Sequence, residues 1–414
     1  MRGFALLGIL ATCAILLHLS DDALGQEDNT PQPPGPVCPC GNRTLCDIVN
    51  STKQEIAVIG WLPVGSAGEV IAFVRECNKT VWSQFDWTRL TSIVLVDFND
   101  AQLYCYAHER EVAVIYSVSF PASLLANSTE QTHWIKKQLT YAESNFLDGI
   151  NIDFDAPVDK GSVESRALEQ LVNDTAVAFH TLLPGSRVTF NAPWSPNGVD
   201  GCFYNYSAIA NASDLLLVKA YDQQKGSFER PCAARPNADF FKVSKGIREY
   251  LDLGIKSHRL VLTVPWFGYD YSCLHMTAKN SCLIEEGRPR GSICSGSVAT
   301  RRSYAELVLM IDANATLGGV LWNNATLTPY FNYNRCWGTV KGTTMPPPGE
   351  DVTQLHQVQF DNPKSLTFKI SLAVGLSLRG IAVWSANDLG YENSLNETVA
   401  EMWGALPHFK KTVL

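Results

Sequence analysis

Short β-branched runs alternate with stretches of helical periodicity along most of this chain, and that alternation constrains the fold more than any other feature. Apolar runs at Val70–Val74, Ser92–Asp97, Val112–Ser117, Gly149–Asp153, Arg187–Ala192, Leu215–Ala220, Leu260–Pro265 and Gly380–Trp384 read as buried strands. Between them, Gln131–Asn145, Val163–Leu182, Asp239–Leu253, Tyr304–Ala313, Pro363–Leu378 and Leu395–Leu406 repeat apolar residues at helical spacing. Strand–helix repetition of this kind makes parallel βα units, and eight of them predict a closed (β/α)₈ TIM barrel of the α/β class. Glu55–Trp61 also reads as extended and competes with Val70–Val74 for the first strand position. The spacing breaks once, where 269–362 is too long for one crossover and rich in Cys, Gly, Pro and Asn, so it is expected to be an insertion over the barrel mouth.

The fourth strand ends unusually. In Phe146-Leu-Asp-Gly-Ile-Asn-Ile-Asp-Phe-Asp155, Gly149, Asn151, Asp153 and Asp155 fall on one face while Ile150, Ile152 and Phe154 fall on the other. Two carboxyls held close in a poorly solvated place cannot both ionise cheaply, so one is expected to stay protonated at mild pH, the condition for a general acid. An acidic turn at a surface strand end is the plainer alternative.

Polar and aromatic residues gather at the carboxyl ends of the other strands, where barrel chemistry resides: Asn191 and Trp194 after the fifth, Tyr221 and Asp222 after the sixth, Trp266 after the seventh, Trp384 and Asn387 after the eighth. Among ten Trp and fourteen Tyr, these rings are the ones placed to face a sugar. Glu164 lies eleven residues beyond Asp153, which imitates the ends of a calcium loop, but Pro157 and Val158 stand where a ligand and a turn glycine are needed. No metal site and no cofactor is implied; His108 and His180 read as structural histidines on helices.

Residues 1–25 have the basic start, apolar stretch and small-residue end of a signal peptide, and no later segment is apolar enough to span a bilayer. Sequons at Asn42, Asn50, Asn78, Asn127, Asn173, Asn205, Asn211, Asn314, Asn324 and Asn396 agree with a secretory route, with the lysosome or the extracellular space as destination. Residues 26–66 are expected to form a cap stapled by Cys38, Cys40 and Cys46, ahead of a barrel over 67–414. Cys273, Cys282 and Cys294 suggest a second bridged loop, and eleven cysteines past the signal leave one unpaired. A net charge of −8 argues against nucleic acid or an anionic membrane as partner; nothing in the pattern demands a dimer.

Taken in order, Cys38-Pro-Cys40, Tyr104-Cys-Tyr-Ala-His108, Asp148-Gly-Ile-Asn-Ile-Asp153, Ala192-Pro-Trp-Ser-Pro196, Cys202-Phe-Tyr-Asn-Tyr206, Val264-Pro-Trp-Phe-Gly-Tyr-Asp-Tyr271, Pro329-Tyr-Phe-Asn-Tyr333 and Phe360-Asp-Asn-Pro363 resemble glycoside hydrolase family 18 over nearly all of the chain past its first 37 residues. The resemblance implies a retaining glycosidase acting on N-acetylglucosamine-containing oligosaccharides, in which the substrate's own acetamido group is the nucleophile. It implies Asp155 as proton donor, Asp153 as the partner of the acetamido N–H, Tyr221 as donor to the acetamido oxygen, and Trp384 as floor of the reacting subsite. Asp222 and Trp266 would bind hydroxyls or stack nearby, and Asp148 would brace Asp153 from beneath. The chain departs from the family's D-G-x-x-x-D-x-E where Asp155 stands for Glu, from its M-x-Y-D where Lys219-Ala-Tyr-Asp222 stands, and at Asn191, where Asp is common. Two readings follow: hydrolysis of GlcNAc-β-1,4-GlcNAc bonds, or a catalytically silent relative that binds the same sugars.

Overall fold

The computed structural model describes residues 35–49, 68–224, 230–285, 299–313, 316–336 and 353–408. The signal segment 1–25, the alternative first strand Glu55–Trp61, Cys294 and the sequons at Asn50 and Asn314 lie outside the described residues. From Cys38 onward the described residues form one compact unit.

Eight parallel strands close into a barrel: β1 (Glu69–Arg75), β2 (Ser92–Val96), β3 (Ala113–Val118), β4 (Gly149–Ile152), β5 (Arg187–Ala192), β6 (Leu215–Lys219), β7 (Leu260–Pro265) and, after the insertion, β15 (Gly380–Trp384). β1 pairs with β15 on one side and β2 on the other, so Val70–Val74 supplies the first stave. Each expected strand is present to within about one residue at its ends, as apolar runs bounded by loop residues allow. Helices Ser128–Ser144, Val163–Leu182, Phe240–Asp252, Pro363–Gly375 and Asn396–Gly404 turn their apolar faces to the barrel exterior.

The insertion is a second sheet rather than loop. It starts at β8 (Phe267–Ser272), two residues earlier than the composition indicates, and continues through β9 (His275–Met276), β10 (Cys282–Leu283), β11 (Ala299–Ser303), β12 (Leu321–Asn323), β13 (Thr328–Cys336) and β14 (Thr353–Gln359). Five of these pair antiparallel in the order β11-β8-β14-β13-β12, with the helix Tyr304–Asp312 alongside. Buried Asp270 ties this sheet together: it accepts from the Tyr333 hydroxyl at 2.7 Å, pairs with His356 Nδ1 at 2.8 Å and meets Arg302 at 3.2 Å.

Disulfides Cys38–Cys46 and Cys40–Cys105 staple the cap, the second of them onto the helix Ala101–His108, and Cys273–Cys282 closes the second bridged loop. Among the described residues Cys77 and Cys202 are free thiols, against the single unpaired cysteine expected: Cys77 follows β1 beside Asn387, and Cys202 is buried against Tyr204.

At the amino end of the barrel Glu69 is buried, accepts from the Thr91 hydroxyl at 2.6 Å and pairs with Arg187 and Arg379, each at 3.1 Å. Burial alone would raise its carboxyl, but the two guanidinium charges and the hydrogen bonds from Thr91 and Arg379 bring it below the usual carboxylate range. Its contribution to stability is therefore complete above the ordinary glutamate value and is lost as pH falls through the lower folded value. Glu69→Gln leaves two arginines facing an uncharged amide and is expected to cost about 3–5 kcal/mol. Urea unfolding at neutral pH should show a lower midpoint at unchanged slope, and the variant should lose less of its remaining stability on acidification than the parent.

Candidate active site at the carboxyl end of the barrel

Only alternate strand residues enter the lumen, and they divide it into layers. The middle is apolar, built from Ile71, Phe73, Val94, Ile115, Leu215, Leu217, Val261 and Ala382. Beside it a polar string crosses three strands: Asn151 donates to the Ser117 hydroxyl at 3.0 Å and accepts from the Thr189 hydroxyl at 2.8 Å. Gly149, below Asn151, has no room for a side chain, since an added Cβ would lie 1.9 Å from the Arg187 carbonyl oxygen. Continuing the same parity upward places Asp153, Asn191 and Lys219 around the top of the lumen.

Lys219 organises this layer. Its ammonium lies 3.3 Å from Asp155 Oδ1 and 3.7 Å from Asp153 Oδ1, so both carboxylates converge on one cation. Burial would lower the Lys219 ammonium, yet the charges of Asp153 and Asp155, the hydrogen bond to Asp155 and the charge of Asp222 together raise it above the ordinary lysine value. The expectation that the two aspartates share a dry interior is corrected here: the Asp153 side chain is 34% exposed and that of Asp155 69%. β4 ends at Ile152, and the chain then turns outward, held by the Tyr204 hydroxyl, which donates to the Ala156 carbonyl at 2.6 Å. Asp155 is lifted to the rim by that turn.

Tyr221 is buried, with its ring edge-on to Phe267 at 5.6 Å. Burial first, then the charges of Asp222 and Asp153, push its hydroxyl well above the ordinary tyrosine value, so it is a donor at any physiological pH. Asp222 has φ of 61°; its N–H donates to Asn237 Oδ1 at 2.9 Å and its carboxylate accepts from the Tyr269 hydroxyl at 2.6 Å. Trp384 is half-buried and backed by Phe73 at 4.9 Å between ring centroids. Asn191 is 2% exposed and neither polar atom of its amide has a hydrogen-bond partner; Thr263 Oγ1, on the strand beside Lys219, and Asp153 Oδ1 are likewise buried without a hydrogen bond. Unpaired buried polar atoms are costly, and a cluster of them in one layer is what a polar ligand would satisfy.

Four sequence-based assignments fall elsewhere. Asp148 precedes β4 and so lies at the opposite end of the barrel, where it accepts from Val49 N–H at 2.7 Å and Val114 N–H at 2.5 Å and pairs with buried His108 at 2.7 Å; it docks the cap and cannot brace Asp153. Trp266 is fully buried and packs edge-on against Trp403 at 4.8 Å, which removes it from any sugar. Trp194 leans on the helix Phe240–Asp252, its carbonyl 1.9 Å from where a Cβ on Gly246 would stand. Asn387 holds the backbone of Arg75 through bonds of 2.8 and 3.0 Å, fixing the tip of β1.

Other residues act here without having been singled out in the sequence. Buried Asp388 accepts from Arg75 at 3.0 Å, Arg301 at 2.6 Å and the Ser385 hydroxyl at 2.8 Å, joining β1, the insertion and the loop after Trp384. Arg301 also covers the Phe267 ring at 4.2 Å. Tyr269, Asn237 and Arg301 come from or contact the inserted sheet, and no local spacing in the sequence reports a pairing between β8 and β6 residues that far apart.

Residues 72–388 match the model for glycosyl hydrolases family 18. Di-N-acetylchitobiase of Rattus norvegicus is 34% identical over 371 residues, covering 89% of this chain and 92% of that protein; the Homo sapiens protein of the same name is 31% identical over 374 residues, covering 90% and 89%. Among solved structures, a mutant class V chitinase of Nicotiana tobaccum in complex with NAG4 superposes with a TM-score of 0.62 at 15% identity, covering 81% of this chain and 99% of that one. A Cycas revoluta GH18 chitinase in complex with (GlcNAc)3 gives 0.59 at 17%, covering 81% and 98%. At those identities the structural likeness is one of fold. The match to the family model spans every strand of the barrel, from within β1 to beyond β15, and the chain belongs to glycosyl hydrolases family 18.

Proposed function

We propose that this chain is a retaining glycosidase of short GlcNAc-β-1,4-GlcNAc oligosaccharides, working by substrate assistance and slowed by two features of its own acid. The observation that carries the reading is the meeting of Asp153 and Asp155 on Lys219 in a layer with buried unpaired polar atoms, on a chain whose relatives are named for chitobiose and chitin. In the first step Asp155 gives its proton to the glycosidic oxygen while the acetamido carbonyl oxygen attacks the anomeric carbon and the C–O bond to the leaving sugar breaks. Asp153 takes the acetamido N–H, and its charge offsets that of the ring so formed; Tyr221 donates to the acetamido oxygen and aims it. Water then attacks the anomeric carbon, Asp155 takes its proton, and the acetamido group reopens with retained configuration. A route through the secretory pathway suits the sequons and the leader; among the described residues no helix is long and apolar enough to cross a membrane.

The two handicaps differ in size. Aspartate at 155 withdraws the carboxyl by about one C–C bond, and a displacement of ~1 Å in a catalytic group costs on the order of 100-fold. Lys219 adds a second cost, because its ammonium, 3.3 Å from Asp155 Oδ1, competes with the glycosidic oxygen for the carboxyl. For a pair exposed at one end this is worth about 1 kcal/mol, or roughly fivefold. The same contact favours the second reading, a relative that holds the sugar without cutting it.

Release of a chromophore from a chitobioside at acidic pH separates the two. Asp155→Glu is expected to raise kcat on the order of 100-fold and Lys219→Met about fivefold. A parent that binds chitobiose and releases no chromophore establishes the silent reading instead. Tyr221→Phe should lower kcat by about 100-fold or more, as loss of one oxyanion-type donor does, with thermal unfolding little changed. Trp266→Phe should do the reverse, lowering stability and leaving KM for the chitobioside near that of the parent.

A further inference from the structure

Four of the chain's sequons stand on the same end of the barrel as the site. Asn78 follows β1, Asn127 follows β3 and Asn205 follows β5, each in the connection that runs from the carboxyl end of a strand to the next helix, and Asn396 is the first residue of the helix after β15. All four are exposed. In the barrel order β1-β15-β7-β6-β5-β4-β3-β2 they fall at β1, its neighbour β15, the diametrically placed β5, and β3, so they are spread around the rim rather than bunched. Asn205 approaches the site most directly: its neighbour Tyr204 bonds to the Ala156 carbonyl, and Ala156 adjoins Asp155.

The side-chain chemistry suits modification of the folded chain's surface. Asn127 Oδ1 caps its helix by accepting from Thr129 N–H at 3.1 Å and Glu130 N–H at 3.3 Å, Asn205 Oδ1 accepts from Ala208 N–H at 3.3 Å, and Asn78 Oδ1 accepts from the Thr80 hydroxyl at 2.6 Å. An N-glycan replaces a hydrogen on Nδ2 and leaves that oxygen free, so glycan and cap coexist. Other sequons differ. Asn173 lies mid-helix and half-buried, its Nδ2 donating to Asp174 at 3.2 Å, with Thr175 wholly buried. Asn211 ends its helix, pointing to the amino end of the barrel.

We infer that Asn78, Asn127, Asn205 and Asn396 carry N-glycans that form a collar around the barrel mouth, admitting short soluble chito-oligosaccharides and holding off extended polymer surfaces. The inference rests on the sugar-binding reading above and adds its size limit. The full chain from glycosylating cells is compared with a variant carrying Thr80→Ala, Thr129→Ala, Ser207→Ala and Thr398→Ala, which removes all four sequons and keeps every capping asparagine. Glycopeptide mass spectrometry should find the four sites occupied in the parent. The variant should bind chitotriose within about twofold of the parent and be retained on colloidal chitin about tenfold more strongly. Endoglycosidase trimming of the folded parent should reproduce that gain if the variant folds poorly. Vacant sites, or chitotriose binding with retention unmoved by either route, overturn the collar. A parent that takes neither chitotriose nor, once trimmed, colloidal chitin overturns the sugar-binding reading and the size limit with it.

Discussion

Each strand of a closed barrel lends the lumen only every second residue, and that parity decides what this molecule can be. With about three inward positions per strand, the lumen holds a charged floor, an apolar middle and a polar top. Glu69 and Arg187 form the floor, Ile71, Val94, Ile115, Leu217 and Val261 the middle, and Asp153, Asn191 and Lys219 the top. The apolar layer separates two ionic groups of opposite purpose. At the floor Glu69 and Arg187 are buried, so removing one leaves the other uncompensated. At the top the carboxylates keep part of their hydration, so their pairing is worth little to the fold and is free to be altered.

That freedom is where the chain parts from its family pattern. Replacing a methionine position with Lys219 inserts a charged group among three acidic residues, and the site tolerates it because Asp153, Asp155 and Asp222 raise the ammonium's affinity for its proton by more than burial lowers it. Aspartate at 155, where the family pattern has Glu, is a shorter side chain on the rim, 69% exposed. Neither change displaces buried Tyr221 and Asn191, or Trp384 on its Phe73 backing. Under the proposed mechanism the larger loss would come from reach rather than charge, since positioning errors act on the transition state directly whereas a half-exposed ion pair is screened.

The sequence disclosed the barrel because its signals are local: β-branched runs, helical periods and the loops that bound them. It disclosed Asp153, Tyr221 and Trp384 as mouth residues for the same reason, since each stands at a strand's carboxyl end. Parity placed Asp155 on the side of Asp153 but not its exposure, because β4 stops at Ile152 and the chain beyond it turns out to the rim. Position within a motif also misled. Asp148 belongs to the same run as Asp153, but the intervening strand puts it at the far end, on Val49, Val114 and His108. Trp266 sits where mouth residues sit, yet its indole turns outward onto Trp403. Tyr269, Arg301 and Asp388 were illegible because they join the mouth through antiparallel pairings and ion pairs between segments far apart in sequence.

The inserted sheet explains why the mouth keeps its shape with one side of it loop. β8 begins directly after Trp266, so the sheet is continuous in sequence with stave seven, and Trp266 N–H donates to the Trp384 carbonyl at 2.7 Å across the closing seam. Arg301 on β11 and Arg75 on β1 grip the two oxygens of Asp388, whose neighbours carry Trp384. The position of Trp384 is thus set by an aspartate held between the barrel and the insertion. A shift of the sheet would move Arg301, then Asp388, then the indole, while Tyr269 would carry Asp222 the same way. Groups on the barrel and groups on the insertion are mechanically one set, which is the arrangement a glycosidase site needs if binding energy from remote rings is to align the bond being cut.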